Sequence, residues 1–174
     1  MSGPGRVLFF LFLVMAVQGV YYYPQMPEKM ATHFDGAGNA NGWMGKTDFL
    51  MMFYGLMAFL TVIFVVMPRL IGMFPNSMIN LPNKDYWLSP ENRAKTMEMI
   101  QEHLMWMSVG VIALILGIGQ LTFQANLKPV PKMADAAWIL LIGFFIFMFF
   151  WLVKFFMAFR KPVDGGQGTV DGGR

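Results

Sequence analysis

Long apolar runs separated by polar segments dominate the pattern along the chain. Four of them come close to 20 residues, the length an α-helix needs to cross a hydrocarbon core roughly 30 Å thick. They predict membrane spans at about 7–23, 49–67, 104–122 and 138–159. We therefore predict an all-α integral membrane fold with four transmembrane helices, in a domain that covers residues 1–160.

The composition supports this class and removes several others. Hydrophobic residues make up 56% of the chain and charged residues only 13%, about half the charge of a soluble domain. The net charge of +3 is spread thinly, so nucleic acid is not expected as a partner. The chain has no cysteine, which excludes disulfides, thiolate metal sites and cysteine nucleophiles.

The positions of lysine and arginine predict how the spans are oriented. Nine of these 13 residues lie in the N-terminal, middle and C-terminal segments, and the other four lie in the two remaining loops. Because cytoplasmic segments retain positive charge, both termini are predicted to be cytoplasmic. The loop at 24–46 would then be external and the segment at 68–103 cytoplasmic. We expect a location in the cell (inner) membrane.

The cytoplasmic segment contains clear stop and start signals. Pro68 and Pro75 are expected to end the second helix. Ser89 is a good N-cap and Pro90 suits the first helical position, which predicts a helical extension that continues into the third span. The tail at 161–174 is rich in glycine and is predicted to be disordered.

The external loop has an unusual density of turn signals. Asp-Gly, Gly-Asn and Asn-Gly pairs surround His33, Phe34 and Trp43, a spacing that indicates one or two tight turns or a short hairpin. His33 and Asp35 are weak candidates for metal ligands, although Glu28 or a partner chain would have to complete the site. The alternative is that His33 and Trp43 hold the turns together. No cofactor is expected.

The spans themselves carry little chemistry. Gly110, Ala113 and Gly117 share one helix face, which suits packing within the chain or against a partner subunit. His103, near the start of the third span, has Glu98 and Glu102 beside it, a pattern more typical of a solvated helix face than of an acid–base or haem site. Ionisable residues and hydrolase motifs are missing from the middle of the membrane, so an enzyme is not expected.

The external loop also carries a family resemblance. The shared pattern is a proline-flanked stretch, His-Phe, two glycines with an aromatic residue, and a lysine just before a span. A second stretch, between the spans, is similar to a motif in uncharacterised relatives. Over roughly residues 7 to 110 the chain resembles the domain of unknown function at the N-terminus of the SdpI-type toxin-immunity membrane proteins of bacteria. The first set comprises Pro24, Pro27, His33, Phe34, Gly38, Gly42, Trp43 and Lys46, and the second Asn80, Leu81, Pro82, Asn83, Lys84, Tyr86 and Trp87.

These observations lead to three hypotheses of function. The first is a non-enzymatic multi-pass membrane protein with a recognition or docking loop, for which the resemblance implies immunity or signalling in response to a membrane-active peptide. The second is an accessory structural subunit of a larger membrane protein complex. The third is a metal-dependent membrane enzyme centred on His33 and Asp35. The expected partners are the lipid bilayer and either other membrane subunits or such a peptide.

Overall fold

A computed structural model describes residues 2–161 of the chain. Among these residues, four helices are long and apolar enough to cross a membrane, which confirms the predicted fold class. The predicted disordered tail lies, apart from its first residue, outside the described residues. The elements are α1 (Gly3–Tyr22), β1 (Lys29–Phe34), β2 (Ala40–Gly45), α2 (Lys46–Ile71), α3 (Lys84–Trp87), α4 (Arg93–Asn126) and α5 (Ala136–Ala158).

Helix α2 continues through the proline that was expected to end it. Pro68 lies inside α2, which ends at Ile71. The last turn stays closed because the N–H of Gly72 donates to the carbonyl of Pro68 at 3.4 Å. The guanidinium of Arg69 also donates to the carbonyl of Val65 at 2.9 Å. The prediction that Pro68 stops the helix is therefore wrong by one turn.

Helix α4 begins later than the cap signal predicted. The residues from Ser89 to Asn92 form a turn that leads into α4, because the carbonyl of Ser89 accepts the N–H groups of Asn92 and Arg93 at 3.1 and 2.9 Å. The pKa of Glu91 is lowered because its carboxylate accepts hydrogen bonds from its own N–H and from the Ser89 hydroxyl. The N-cap position is therefore Asn92 rather than Ser89, and the first residue of α4 is Arg93.

The bundle is organised around α4, which packs against α1, α2 and α5. Phe123 of α4 is fully buried. Its ring stacks on Tyr22 of α1 with centroids 5.1 Å apart and meets the edges of Phe49 and Phe53 of α2. Of the residues of α5, by contrast, none is buried. Helix α5 is therefore a peripheral helix with most of its surface open to lipid.

Glycines in α4 allow the neighbouring helices to approach closely. Gly110 lies under the ring of Phe147, and a Cβ at Gly117 would stand 3.0 Å from a methyl group of Leu140, so both face α5. Ala113 lines the same α4–α5 contact. Gly119 faces the ring of Phe53 in α2, a packing role that the sequence analysis did not anticipate. The small-residue face is used inside the chain.

Candidate functional site

The loop between α1 and α2 is an antiparallel hairpin of β1 and β2. Lys29 pairs with Gly45 at its base, and His33 pairs with Gly42 near its tip. The pairing shifts between Ala31 and Phe34, as at a β-bulge. The sequence left open tight turns or a short hairpin, and the structure contains the hairpin. The hairpin connects the C-terminal end of α1 to the N-terminal end of α2.

Asp35 closes the turn at the tip of the hairpin. Its carboxylate accepts the backbone N–H groups of Ala37 and Asn39 at 2.9 and 2.8 Å, and the side-chain amide of Asn39 at 3.2 Å. Its own N–H donates to the carbonyl of Asn39 at 2.9 Å. This is the pattern of an Asx turn, in which the side chain replaces backbone bonds that a short turn cannot make.

The turn is expected to lose order in strong acid. The backbone N–H of Asn39, its side-chain amide, the N–H of Ala37 and the charge of Lys132 hold the pKa of Asp35 below its ordinary value of 3.8. A lowered pKa in the folded state stabilises the turn fully above pH 3.8, and this stabilisation is lost as the pH falls through the folded pKa. The protection of the turn's backbone amides against hydrogen exchange, relative to the intrinsic exchange rate at each pH, should fall over that range.

Asp35→Asn is the matched control for this titration. The amide cannot ionise, so exchange in its turn should show no acid transition over the same pH range. An acid transition of equal size in the variant would mean that another group is responsible.

Gly38 joins the hairpin to the loop between α4 and α5. Its carbonyl accepts the N–H of Met133 at 2.9 Å, beside an isolated bridge between Asn39 and Lys132. Its φ of +81° lies in the left-handed region, and an added Cβ would stand only 2.7 Å from the Met133 carbonyl oxygen. The tip of the hairpin is therefore fixed to a segment almost a hundred residues away in sequence.

Gly38→Ala is expected to detach the hairpin tip. The left-handed conformation costs a non-glycine residue about 1–2 kcal/mol, and the contact with Met133 adds to that cost. Limited proteolysis of the detergent-solubilised protein should cleave the variant faster within residues 35–39. Gly36→Ala is the control, because a Cβ there meets nothing within 4 Å. Equal cleavage of both variants would contradict this assignment.

Asn126, in the last turn of α4, anchors the first strand. Its side-chain oxygen accepts the N–H of Ala31 at 2.7 Å, and its amide donates to the carbonyls of Ala31 and Thr122 at 2.9 Å each. Both Asn126 and Ala31 are buried. One side chain therefore satisfies both backbone groups of Ala31 that point away from the partner strand.

His33 and Trp43 have different roles on the hairpin. Nδ1 of His33 hydrogen-bonds to the side-chain oxygen of Asn41 across the strands. A Cβ at Gly42 would stand 2.7 Å from Cβ of His33, so the glycine makes room for this side chain. Trp43 is 47% exposed. His33 is part of the hairpin's own structure, whereas Trp43 is available to another molecule.

An ion pair lies at the base of the hairpin. The ammonium of Lys46 lies 2.7 Å from the carboxylate of Glu28 and 4.9 Å from the centre of the Tyr23 ring. Pro24 lies in the short turn after α1, and Pro27 is exposed in the connection to β1. Glu28 is thus at the opposite end of the strand from His33, about five residues or 16 Å away.

The geometry of the candidate metal ligands follows from these contacts. Asp35 accepts hydrogen bonds within the turn, His33 hydrogen-bonds to Asn41, and Glu28 accepts a hydrogen bond from Lys46. Within residues 2–161, no group of three histidine or acidic side chains is placed to hold a metal ion. His33 and Asp35 do line one wall of a cavity of about 350 Å³ between the hairpin and the start of α5, with Asp135 and Trp138 opposite.

The second motif lies at the other end of the bundle and holds the end of α5. Asn83, with a φ of 53°, and the indole of Trp87 both donate to the carbonyl of Phe159 at 2.9 Å. The hydroxyl of Thr96 in α4 donates to the carbonyl of Trp87 at 2.7 Å. Leu81 and Trp87 are buried with Phe159. The motif therefore closes the C-terminal end of α5 onto α4.

The remaining residues of this motif play smaller parts. Tyr86 packs edge-on against Trp87, with centroids 5.0 Å apart. Pro82 is half-buried, and Asn80 and Lys84 are exposed. The two motifs are therefore at opposite ends of the bundle and do not form a common site.

Two structural features were missed by the sequence analysis. Gln18 of α1 donates to the side-chain oxygen of Gln120 in α4 at 2.9 Å, and the amide of Gln120 donates to the hydroxyl of Tyr22 at 2.6 Å. Such bonds hold helices together in apolar surroundings.

The second feature is at the end of α2. The guanidinium of Arg93 donates to the carbonyls of Gly72 and Phe74 at 2.9 Å, which closes the end of α2.

The comparison with known families covers the hairpin and its flanking helices. Residues 10–58 match the model of a domain of unknown function, DUF1648. No curated protein and no solved structure matches the chain. The matched stretch runs from α1 through the hairpin into α2 and includes the first motif, whereas the second motif lies beyond it. Residues 10–58 are thus similar to a DUF1648 domain, in a chain whose apolar helices fit a multi-pass membrane protein.

Proposed function

We propose that this is a non-enzymatic multi-pass membrane protein whose hairpin is a recognition or docking element on the outer side of the cell membrane. The observation that supports it is the contrast between a hairpin fixed at three points and an exposed tryptophan on it. Asn126 holds β1, Asp35 closes the tip, and the Glu28–Lys46 pair closes the base. Trp43 nevertheless keeps 47% of its surface exposed.

This arrangement suits recognition for an energetic reason. Binding through a mobile loop loses affinity because the loop must be ordered on contact. Here the contacts within the chain have already ordered the hairpin. Tryptophan is also among the residues that contribute most to binding energy at protein interfaces.

A membrane-active peptide is the partner that the resemblance to SdpI-type proteins implies. Such peptides lie in the interfacial layer as amphipathic helices. A hairpin that directly joins two membrane-length helices is at the same depth, and tryptophan favours that layer. Immunity to the peptide, or a signal derived from it, would be the specific form of this function.

The proposal that the protein is not an enzyme rests on how the polar groups of the hairpin are used. His33, Asp35 and Glu28 each make hydrogen bonds that maintain the hairpin. We expect protein purified in the presence of zinc or manganese to contain no stoichiometric metal. Bound metal that is lost in His33→Ala would support the metal-dependent membrane enzyme instead.

An accessory subunit of a larger membrane complex is the second candidate, and α5 favours it. None of the residues of α5 is buried, and Ile139, Phe145 and Phe149 are each more than 60% exposed. Such a face suits either lipid or a helix of another subunit. This hypothesis places the partner beside α5, whereas the first places it at the hairpin.

Photo-crosslinking distinguishes these two positions. A photoreactive phenylalanine analogue in place of Trp43 should give one defined adduct in intact membranes, and the same analogue in place of Phe145 should give lipid adducts only. Mass spectrometry of the assembly in mild detergent should then show no stoichiometric membrane subunits. Protein adducts at position 145 with copurifying subunits would favour the accessory role. No protein adduct at position 43 would overturn the recognition role.

A further inference from the structure

A second feature lies at the end of the bundle opposite the hairpin. Helices α4 and α5 leave a groove of about 460 Å³ between them, within the size range of ligand pockets in proteins. Aromatic side chains from both helices form its walls, and charged side chains lie at its rim. The walls include Trp106, Phe147 and Phe150, the rim carries Glu102 and Lys154, and the floor includes His103 and Trp151.

The length of α4 indicates where the groove lies relative to the membrane. Thr122, near the hairpin, and Glu102 are twenty residues apart, or about 30 Å along a helix, which equals the thickness of the hydrocarbon core. The rim therefore lies at the level of the lipid headgroups. Trp106 lies one turn further in, so the aromatic walls lie at the level of the acyl chains.

The two charges at the rim are of opposite sign, and both side chains are exposed. Neither the side chain of Glu102 nor that of Lys154 makes a hydrogen bond or ion pair with any residue that the structure describes, including each other. Charged side chains near the membrane interior normally pair or reach into the headgroup layer. A negative and a positive charge on one groove are complementary to a ligand that carries both signs.

The floor of the groove is already in place without a ligand. The indole of Trp151 donates to the carbonyl of His103 at 2.9 Å, which joins α5 to α4. Nδ1 of His103 is hydrogen-bonded to the carbonyl of Met99 at 2.8 Å. The imidazole also packs edge-on against Phe155, with centroids 5.7 Å apart. Binding would therefore require little rearrangement.

We propose that this groove binds one phospholipid whose zwitterionic headgroup ends in a primary ammonium, as in phosphatidylethanolamine. Lys154 binds the phosphate, Glu102 accepts hydrogen bonds from the ammonium, and an acyl chain lies along Trp106, Phe147 and Phe150. An anionic glycerol headgroup would leave Glu102 without a cation. A choline headgroup has no N–H to donate to it.

The test is native mass spectrometry of the full chain in mild detergent. Phosphatidylethanolamine, phosphatidylcholine and phosphatidylglycerol with identical acyl chains are added in turn. We expect one bound phosphatidylethanolamine per chain at concentrations where the other two lipids do not bind. Glu102→Gln and Lys154→Gln should each weaken that binding about tenfold, since each replaces a hydrogen bond between two opposite charges by a weaker one from a neutral amide.

Matched controls separate this site from general attraction to lipid. Glu98→Gln, one turn earlier on α4, and Arg160→Gln, just after α5, remove the same charges outside the groove and should leave binding unchanged. Equal binding of the three lipids, or unchanged binding in both rim variants, would overturn the proposal. If a rim variant fails to fold, the order of lipid preference of the unmodified chain still decides the question.

Discussion

Replacing Asn126 with alanine is expected to release the hairpin from the bundle. The substitution leaves the buried N–H and carbonyl of Ala31 without their partner. Each buried polar group left unpaired costs about 1–3 kcal/mol. Amide exchange measured by mass spectrometry should therefore rise across residues 29–45, while exchange in the middle of α4 stays slow.

Gln124→Ala is the control for this substitution. Gln124 is two residues away on the same turn of α4 and is exposed, so its removal should leave exchange in the hairpin unchanged. If Asn126→Ala and Gln124→Ala give the same protection of residues 29–45, Asn126 is not the anchor of β1.

Replacing Phe123 with alanine should give the other large effect, a loss of bundle stability. Phe123 is fully buried among Tyr22, Phe49 and Phe53, so its removal leaves a cavity where α1, α2 and α4 meet. Truncation of a buried phenylalanine costs about 3–5 kcal/mol in soluble proteins. In a bilayer we expect about 3 kcal/mol, because only the packing part of that cost applies.

Phe145→Ala makes the same chemical change on the lipid-facing side of α5, where Phe145 is 68% exposed. The thermal unfolding midpoint in detergent should fall clearly for Phe123→Ala and little for Phe145→Ala. Equal shifts would contradict the description of α4 as the centre of the bundle.

The membrane-length helices could be predicted from the sequence because the bilayer imposes a length and a hydropathy on each one. Their exact ends could not, because these depend on local hydrogen bonds. Ser89 was expected to cap the helix, but its carbonyl closes a turn before the helix and α4 begins at Arg93, after Asn92. Pro68 was expected to stop α2, yet the turn after it stays closed through Gly72.

The hairpin was only partly predictable. Its turn signals are local, since Asp35 and Asn39 lie in one short turn. Its attachment to the bundle is not local, because Asn126 lies 95 residues from Ala31 in sequence. A single asparagine at the end of an apolar helix has no sequence pattern that identifies its distant partner. The same holds for the bonds from Asn83 and Trp87 to Phe159.

The pairing of polar residues inside the membrane also could not be predicted from the sequence. Gln120 was visible as a polar residue in the third span, but its bond to Gln18 depends on which faces of α1 and α4 meet. Likewise, the unpaired charges of Glu102 and Lys154 face one groove only because α5 packs against α4. These sites arise from helix packing rather than from any motif.

The orientation of the hairpin is the point on which the recognition proposal depends most. The chain contains no cysteine, so single cysteines can be introduced at Gly36, at the exposed tip, and at Lys84, at the opposite end. In intact cells an impermeant thiol reagent should label Gly36→Cys, and should label Lys84→Cys only after the membrane is permeabilised. The reverse pattern would place the hairpin in the cytoplasm and would contradict recognition at the outer surface.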